Sequence, residues 1–310
     1  MSDFLKHLEH AAQNVLLTTH VRPDGDALGT TAALSLWLEA RGKTTTRLLL
    51  SAMPNKYRFV YDDAGLEWAE TVPDLTPFDT LLVCDTGTWN QLPGLEAATS
   101  GFGGKKLVLD HHVTQQDWAD AKLVDTEAAA AAEIAATVIG DLEPATASAI
   151  YVGLVSDTGW FRYPNTRAQT LRLAADCIAA GIDADAIYRR LYLAETEKRL
   201  RLQADVQQSL EIHGDLAILT CTAADFTRHG ADVPDTEDVV NWPLQIATVK
   251  ASVLLVETEQ GTKLSFRSKT DGPDVAALAQ KFNGGGHVRA AGARIEASLA
   301  TAKQQVIASL

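Results

Sequence analysis

Aspartate and histidine residues are concentrated in four segments of the chain, and each segment follows an apolar or helical stretch. Carboxylate and imidazole groups are the ligands that suit manganese or magnesium, whereas a structural zinc site more often contains cysteine. Several such groups brought to one place could therefore hold divalent cations. The residues in question are His20, Asp24, Asp26, Asp85, Asp110, His111, His112 and Asp157.

The stretches before these residues predict a parallel β-sheet. Residues 14–19, 80–85 and 106–110 are short apolar runs with helical patterns between them, which is typical of strands buried on both faces. In an open α/β sheet, ligands bind beyond the carboxyl ends of the strands. We therefore expect three strands to bring an aspartate or a histidine to the same edge of the sheet.

Each segment also has a purely structural explanation. The Asp24-Gly-Asp26 sequence is typical of a turn, and an aspartate at a strand end often caps the following helix. Asp157 could likewise cap a turn, and a lone histidine is usually a surface residue. The agreement of four segments at equivalent positions favours a functional site over independent coincidences.

The same motifs, in the same order, resemble the DHH phosphoesterase superfamily. The first half carries HVRPDGDALG from His20, CDTG around Asp85, the Asp-His-His triplet from Asp110 and SDTG around Asp157. The second half carries NGGGHVRAAG from Asn283, which is similar to the glycine-rich segment of the DHH-associated substrate domain.

The length and the pairing of domains are most similar to the nanoRNase/pAp-phosphatase branch of that superfamily. Members of this branch cleave very short RNA to mononucleotides, and some remove the 3′-phosphate from adenosine 3′,5′-bisphosphate. The resemblance implies a two-metal phosphoesterase with these substrates. Alternatives within the superfamily are a cyclic-dinucleotide or linear pApA-type phosphodiesterase, a single-strand exonuclease of the RecJ type, and a family II inorganic pyrophosphatase. The pyrophosphatase has a different second domain, which lacks the GGGH motif of residues 284–287. A nucleotide sensor without turnover is the alternative from another class.

The resemblance also implies two metal sites that share one carboxylate. We expect manganese in both, with magnesium or cobalt as alternatives. Two cations that share a carboxylate lower the pKa of a water molecule and stabilise the attacking and leaving oxygens of phosphoryl transfer. One expected ligand set is His20, Asp24 and Asp85, and the other is Asp26, His111 and Asp157 with Asp85 bridging.

The triplet supplies two further expected roles. His112 would donate to the phosphoryl oxygens, and Asp110 would orient neighbouring groups, so that Asp85, Asp110 and His112 form the predicted catalytic set. In one respect the chain departs from the branch. Serine or threonine often stands near the start of the helix after Asp125, but this chain has alanine at residues 128–132. Polar contacts made by side chains there are expected to be absent.

The second half contains the expected substrate-binding residues. Consecutive glycines let backbone N–H groups approach an anion, and an arginine offers a planar fork to a terminal phosphate. A helix C-cap followed by a flexible loop would explain the glycines equally well from sequence alone. By resemblance, the substrate residues are Arg267, Ser268, Gly284, Gly285, Gly286 and His287.

The 310 residues are enough for two domains. We predict an α/β fold in which a parallel-sheet metal-binding domain, residues 1–190, is joined by an exposed linker helix, residues 191–212, to a smaller α/β substrate domain, residues 213–310. The active site is expected between the two domains.

Composition limits the partners of the protein. The formal net charge of −13 and the lack of a long basic tract argue against a long nucleic acid and favour short oligoribonucleotides or small nucleotides. Neither a signal peptide nor a membrane-spanning run is evident, and the three widely spaced cysteines fit buried residues in a reducing cytoplasm. The oligomeric state is left open, with a homodimer among the options.

Overall fold

The computed structural model describes residues 3–309. It divides the chain into two compact units, Met1–Ala194 and Glu195–Leu310. Each unit has its own β-sheet and its own hydrophobic core. The predicted α/β class, with a parallel sheet in the first half and a second α/β region after it, is confirmed.

The first unit is built on a five-stranded sheet in which every pair of neighbours is parallel. Its strands are β1 (Asn14–Thr19), β2 (Thr44–Leu48), β3 (Thr80–Cys84), β4 (Lys105–Asp110) and β5 (Ala121–Val124). The spatial order is β2-β1-β3-β4-β5. The chain therefore builds outward from β1 in both directions, which creates a switch point between β1 and β3 where open α/β sheets bind ligands.

Eight α-helices, together with a π-helical turn at His7–Ala11 and a 3₁₀ turn at Trp89–Gln91, complete the described part of this unit. The helices are α1 (Asp3–Lys6), α2 (Gly25–Glu39), α3 (Phe59–Asp62), α4 (Leu95–Ala98), α5 (Ala131–Ile139), α6 (Pro144–Asp157), α7 (Ala168–Ala179) and α8 (Ala184–Tyr192). The alanine-rich stretch after Asp125 becomes helical only at Ala131. Residues 128–130 are a buried non-helical segment.

Helices α2 and α6 lie close together because glycine stands at their points of contact. A Cβ atom on Gly29 would lie 2.3 Å from the Ala149 carbonyl oxygen, and one on Gly153 would lie 2.5 Å from the Ala132 Cβ and 2.8 Å from Asp26 Oδ1. Backbone atoms cannot yield that much space. These two glycines therefore let α6 approach the beginning of α2, where the candidate ligands Asp24 and Asp26 lie.

The second unit contains a mixed six-stranded sheet. Its strands are β6 (Glu211–His213), β7 (Leu216–Cys221), β8 (Ala251–Thr258), β9 (Gly261–Ser268), β10 (Gly285–His287) and β11 (Ala290–Ile295). The order is β10-β11-β9-β8-β7-β6, and only the β7–β8 pair is parallel.

Four α-helices and two 3₁₀ segments, Val233–Thr236 and Val239–Gln245, belong to the described part of the second unit. The helices are α9 (Glu197–Gln208), α10 (Ala223–His229), α11 (Val275–Gln280) and α12 (Leu299–Ala308). Helix α9 corresponds to the charged stretch expected to be an exposed connection. One face of α9 is buried, because Leu202 and Val206 pack with Leu219 of β7.

The three cysteines are buried and free, as predicted. Within residues 3–309, the structure contains no helix with the length and apolar character that crossing a bilayer requires.

Candidate metal centre

The carboxyl edge of the first sheet carries most of the candidate ligands. His20 follows β1 directly, Asp85 follows β3, and His111 follows β4. Because β1, β3 and β4 are adjacent and parallel, their ends meet at the switch point. Asp24 and Asp26 join them from the start of α2, and Asp157 is the last residue of α6.

All six predicted metal ligands come together at this edge. Within each of three residue groups, the ligand atoms lie within 4.8 Å of one another. Two of the groups have the composition expected for the two metal sites, and the third brings His112 to the same place. The groups are His20, Asp24 and Asp85; Asp26, His111 and Asp157; and Asp85, His111 and His112.

Two imidazoles are oriented by backbone carbonyls. His20 Nδ1 lies 3.1 Å from the Val21 carbonyl oxygen, and His111 Nδ1 lies 3.3 Å from the Ala128 carbonyl oxygen. A carbonyl can only accept, so each Nδ1 carries the proton and each Nε2 turns towards the carboxylates. His20 Nε2 is 3.4 Å from Asp85 Oδ2, and His111 Nε2 is 3.2 Å from Asp157 Oδ2. A hydrogen bond on the far nitrogen is the usual way in which proteins orient a metal-binding histidine.

Asp85 is the most constrained member of the cluster. Its side chain is almost fully buried, and its backbone adopts φ +60°, a left-handed conformation that costs a non-glycine residue energy. The strained turn brings the carboxylate between two imidazoles, since Oδ2 faces His20 and Oδ1 lies 3.4 Å from His111 Nε2. Burial opposes ionisation of Asp85, but the two imidazoles outweigh it and hold the pKa at about 2.

The other buried carboxylates carry charge less easily. Burial, together with the negative charges of Asp85 and Asp157, raises the pKa of Asp24 to about 6 and raises that of Asp26 well above its ordinary value. Burial lowers the pKa of His20, but its contacts with Asp85 and the charge of Asp24 more than compensate and raise it to about 9. Without a cation, the cluster therefore retains protons that a metal would displace.

Two buried polar atoms in the cluster make no hydrogen bond, namely Asp85 Oδ1 and His111 Nε2. A buried polar atom without a partner costs free energy. Both atoms belong to groups that coordinate divalent metals, and the cluster has several oxygen donors but no thiolate. Residues of this type in this arrangement fit divalent cations.

Asp26 has a role that sequence reasoning missed. Its Oδ2 accepts a hydrogen bond from the Ala131 N–H at 2.6 Å and its Oδ1 accepts one from the Ala132 N–H at 2.9 Å. These amides form the first turn of α5, so Asp26 caps a helix that lies far along the chain. Residues 128–132 therefore make polar contacts through their backbone, although their side chains carry no polar group.

Asp110, the residue expected to orient its neighbours, accepts hydrogen bonds from both histidines of the triplet. It is fully buried, and its Oδ1 accepts from His112 Nδ1 at 2.8 Å and from the backbone N–H of His111 at 2.8 Å. The Gln115 side chain donates to its other oxygen. The contact with Asp110 raises the pKa of His112. His112 itself remains half exposed, so it is accessible to a substrate.

In the second unit, Arg267 and Ser268 lie at the end of β9. Arg267 is partly buried and donates to the Phe266 carbonyl oxygen at 2.9 Å. Burial lowers the pKa of its guanidinium, and the nearby Asp238 carboxylate opposes that shift. Ser268 is mostly buried and receives a hydrogen bond from Arg289 Nη1 at 3.3 Å. Arg289 also donates to the carbonyl oxygens of Gly272 and Thr270, so it holds the loop after β9.

The glycine-rich segment forms an edge strand and not a flexible loop. Gly285, Gly286 and His287 pair with β11 in antiparallel register and are exposed. A Cβ on Gly284 would lie 2.2 Å from the Gly292 carbonyl oxygen, and Gly286 has φ +145°. Both glycines are therefore required by the hairpin itself. Gly285 has open space around it.

Comparison with known proteins gives matches in both halves. Residues 14–182 match the family model described as DHH family, N-terminal domain, and residues 216–310 match the one described as DHHA1 domain. The first match covers more than half of the chain and includes every residue of the candidate metal centre.

The relatives match over most of their length. The sequence is 30% identical over 287 residues to a Thermus thermophilus protein named bifunctional oligoribonuclease and PAP phosphatase NrnA, covering 91% of this chain and 84% of that protein. A Bacillus subtilis protein of the same name is 28% identical over 292 residues, with 91% and 89% covered. The crystal structure of an exopolyphosphatase-related protein from Bacteroides fragilis has a TM-score of 0.90 at 25% identity, and the match covers 98% of this chain and 95% of that one.

Proposed function

The chain belongs to the DHH family, and from that premise we propose that it is a metal-dependent phosphoesterase that hydrolyses RNA dinucleotides to 5′-mononucleotides. Removal of the 3′-phosphate from adenosine 3′,5′-bisphosphate is proposed as its second activity. The names of the Thermus and Bacillus relatives support both reactions. The observation that carries the proposal is the pair of ligand groups at one sheet edge, of the kind that two neighbouring cations require.

In this proposal, His20 and Asp24 hold one cation and the group of Asp26, His111 and Asp157 holds the other, with Asp85 between them. When bound, two divalent cations lower the pKa of a water molecule and stabilise the attacking and leaving oxygens. Manganese is the proposed ion, with magnesium or cobalt as alternatives, because the donors are carboxylates and imidazoles.

The protein's own residues position the substrate and neutralise its charge. His112 is proposed to donate from Nε2 to a phosphoryl oxygen, because Asp110 engages its Nδ1 and keeps the ring oriented. Positioning and charge neutralisation are the main tasks of a protein in phosphoryl transfer, which needs little covalent help. The half-exposed side chain of His112 is suited to this contact.

Residues of the second unit are proposed to bind the rest of the nucleotide. Arg267 would bind a terminal phosphate through its guanidinium, which is suited to a planar, bidentate contact. Ser268, His287 and the backbone of residues 284–286 would contact the phosphate, sugar or base. The exposure of Gly285 and His287 supports this role.

The overall charge supports a short substrate. A chain with a formal net charge of −13 is poorly suited to bind a long polyanion, whose binding depends on basic residues. Additional nucleotides can accelerate the reaction only if the protein has residues that bind them. We therefore expect the rate per molecule to fall as the substrate lengthens from a dinucleotide to about five nucleotides. A cytoplasmic location is proposed as well, because the proposed substrates are intracellular nucleotides and the three cysteines are free, as is usual in a reducing compartment.

The test is a time course on end-labelled RNA oligomers of about two to about twenty-four nucleotides, with equal manganese and salt in every reaction. Adenosine 3′,5′-bisphosphate, a cyclic dinucleotide and pyrophosphate complete the panel. A rate that rises with length would assign the protein to exonucleases of the RecJ type, and preferred hydrolysis of the cyclic substrate would make it a cyclic-dinucleotide phosphodiesterase. Tight binding without any turnover would identify a sensor.

A further inference from the structure

The alanine segment, residues 128–132, contacts the metal centre through main-chain atoms alone. It is buried throughout, and its side chains carry no polar group. Its Ala128 carbonyl faces His111 Nδ1 at 3.3 Å, while two amides at its other end donate to Asp26. One short stretch of backbone therefore orients two of the three ligands proposed for the second cation.

Asn165 ties this segment to the third ligand. Its Nδ2 donates to the Ala129 carbonyl oxygen at 3.0 Å and to the Asp157 carbonyl oxygen at 3.1 Å. One amide group thereby fixes the distance between the alanine segment and the end of α6, where Asp157 projects into the centre. Asn165 itself is exposed, and truncation of an exposed side chain usually changes stability little.

Glu133 holds the same segment from the opposite side. Its side chain is 3% exposed, and Oε2 accepts from the Ala129 N–H at 3.0 Å and from Thr170 Oγ1 at 3.0 Å. Its other oxygen lies 3.2 Å from Arg167 Nη2. Both backbone groups of Ala129 are thus bound by side chains, the N–H by Glu133 and the carbonyl by Asn165.

The first proposed site does not depend on these residues. The His20 ring is oriented by the neighbouring Val21 carbonyl, and Asp24 accepts from amides of its own helix. Among the hydrogen bonds of the described residues, those that link a proposed ligand to the alanine segment or to Asn165 involve Asp26, His111 and Asp157, and not His20, Asp24 or the bridging Asp85. A variant with a specific positioning defect should therefore weaken only the second cation, whereas a variant with a general folding defect should weaken both.

We infer that Asn165 and Glu133 are positioning residues for the second cation, acting through the main chain of the alanine segment. The inference rests on the proposed two-metal function and names residues outside its ligand set. It assigns no contact with substrate to either residue. Changes in the partners of metal ligands typically cost about tenfold to a hundredfold in metal affinity.

The main test is Asn165→Ala in the full chain, stripped of metal and titrated with Mn²⁺ in a calorimeter. We expect the affinity for the first cation to stay within about twofold of wild type and that for the second to fall by about tenfold to a hundredfold. Electron paramagnetic resonance at matched Mn²⁺ should show less spin-coupled metal pair and more isolated Mn²⁺. The melting temperature of the metal-free variant should match that of the metal-free wild type.

A matched pair of variants tests Glu133. Glu39 forms a similar triad in the same unit, with Arg47 Nη1 at 2.6 Å and the Thr45 hydroxyl, but it has no contact with the alanine segment. Glu133→Gln should weaken binding of the second cation, whereas Glu39→Gln should leave both affinities unchanged. Equal weakening by the two variants would mean a general structural effect and would overturn the inference.

The outcomes also separate this inference from the proposed function. If the wild type binds two cations and turns over substrate while Asn165→Ala matches it in both affinities, only the positioning role is wrong. Equal loss of both cations in Asn165→Ala would overturn the positioning role in the same way. If the wild type binds no Mn²⁺ at all, the two-metal function is wrong and the inference fails with it.

Discussion

The candidate metal centre of the first unit and the proposed substrate residues of the second unit are built in contrasting ways. Asp26 and Asp85 are buried, and their neighbours engage them from several directions. Gly285 and His287, by contrast, are exposed on an edge strand that is paired on one side only. The buried carboxylates are therefore preorganised by their neighbours, while the exposed edge-strand residues are accessible to a ligand.

This difference separates two kinds of effect. Preorganised charge acts on the barrier of the reaction because it is in place before charge develops. A residue that binds the substrate equally well in the ground state and in the transition state acts on binding, so its loss should raise KM and leave kcat in place. Substitutions in the two regions should therefore change different kinetic constants.

The largest effect is expected for Asp85→Asn. Asparagine tolerates the left-handed backbone at this position better than alanine, so the substitution removes charge with little added strain. We expect kcat to fall by about a thousandfold or more, which equals about 4 kcal/mol in the barrier. The control is Asp74→Asn, at an exposed turn carboxylate before β3. A variant with near-normal kcat would remove Asp85 from the mechanism.

A smaller effect, on a different constant, is expected for Arg267→Ala. Loss of a charge-assisted phosphate contact costs about 1.5–3 kcal/mol, so KM for nucleotides should rise about tenfold to a hundredfold. Hydrolysis of bis-p-nitrophenyl phosphate should change far less. Arg294→Ala removes a guanidinium from β11 of the same sheet, where it contacts Gln260, and should leave both reactions unchanged. If kcat fell and KM did not, the contrast between the two units would be wrong.

The smallest effect is a pH dependence of stability in the metal-free protein. The folded state raises the pKa of His20 from an ordinary value of 6.5 to about 9, so it binds this proton more tightly than the unfolded chain does. That stabilisation is complete below about pH 6.5 and is lost as the pH rises through about 9. Urea denaturation should show the free energy of unfolding falling by about 1–3 kcal/mol over this interval.

Two controls sharpen that measurement. His20→Asn should reduce the fall in the free energy of unfolding without abolishing it, because His111 contributes in the same direction. Burial lowers the pKa of His111, but Asp157 and Asp85 outweigh burial and raise it to about 11. His10→Asn, at an exposed histidine of the same unit, should leave the fall unchanged. Saturating Mn²⁺ should abolish the fall, because the metal takes the place of the proton. A metal-free protein that becomes more stable between about pH 6.5 and about 9 would contradict the charge distribution described for the centre.

The sheet and its edge could be predicted because continuous apolar runs identify β1, β3 and β4, and parallel strands share their carboxyl ends. The start of α5 could not be predicted, since the cap for its amides is Asp26, 105 residues away along the chain. Asn165 was missed for a related reason. Its partners are backbone carbonyls, and every residue has one. The left-handed turn at Asp85 likewise depends on tertiary contacts.

The alanine segment has a consequence for how this site tolerates mutational drift. Every amino acid except proline, which lacks the N–H, provides a backbone N–H and a carbonyl group. The hydrogen bonds that this segment makes through its backbone are therefore available with almost any side chain. What selection can act on there is bulk, because Ala132 lies against the space that Gly153 leaves open. Substitution of Ala132 by another small residue should therefore be tolerated, whereas a larger side chain there would push α5 away from α6 and disturb the ligands proposed for the second cation.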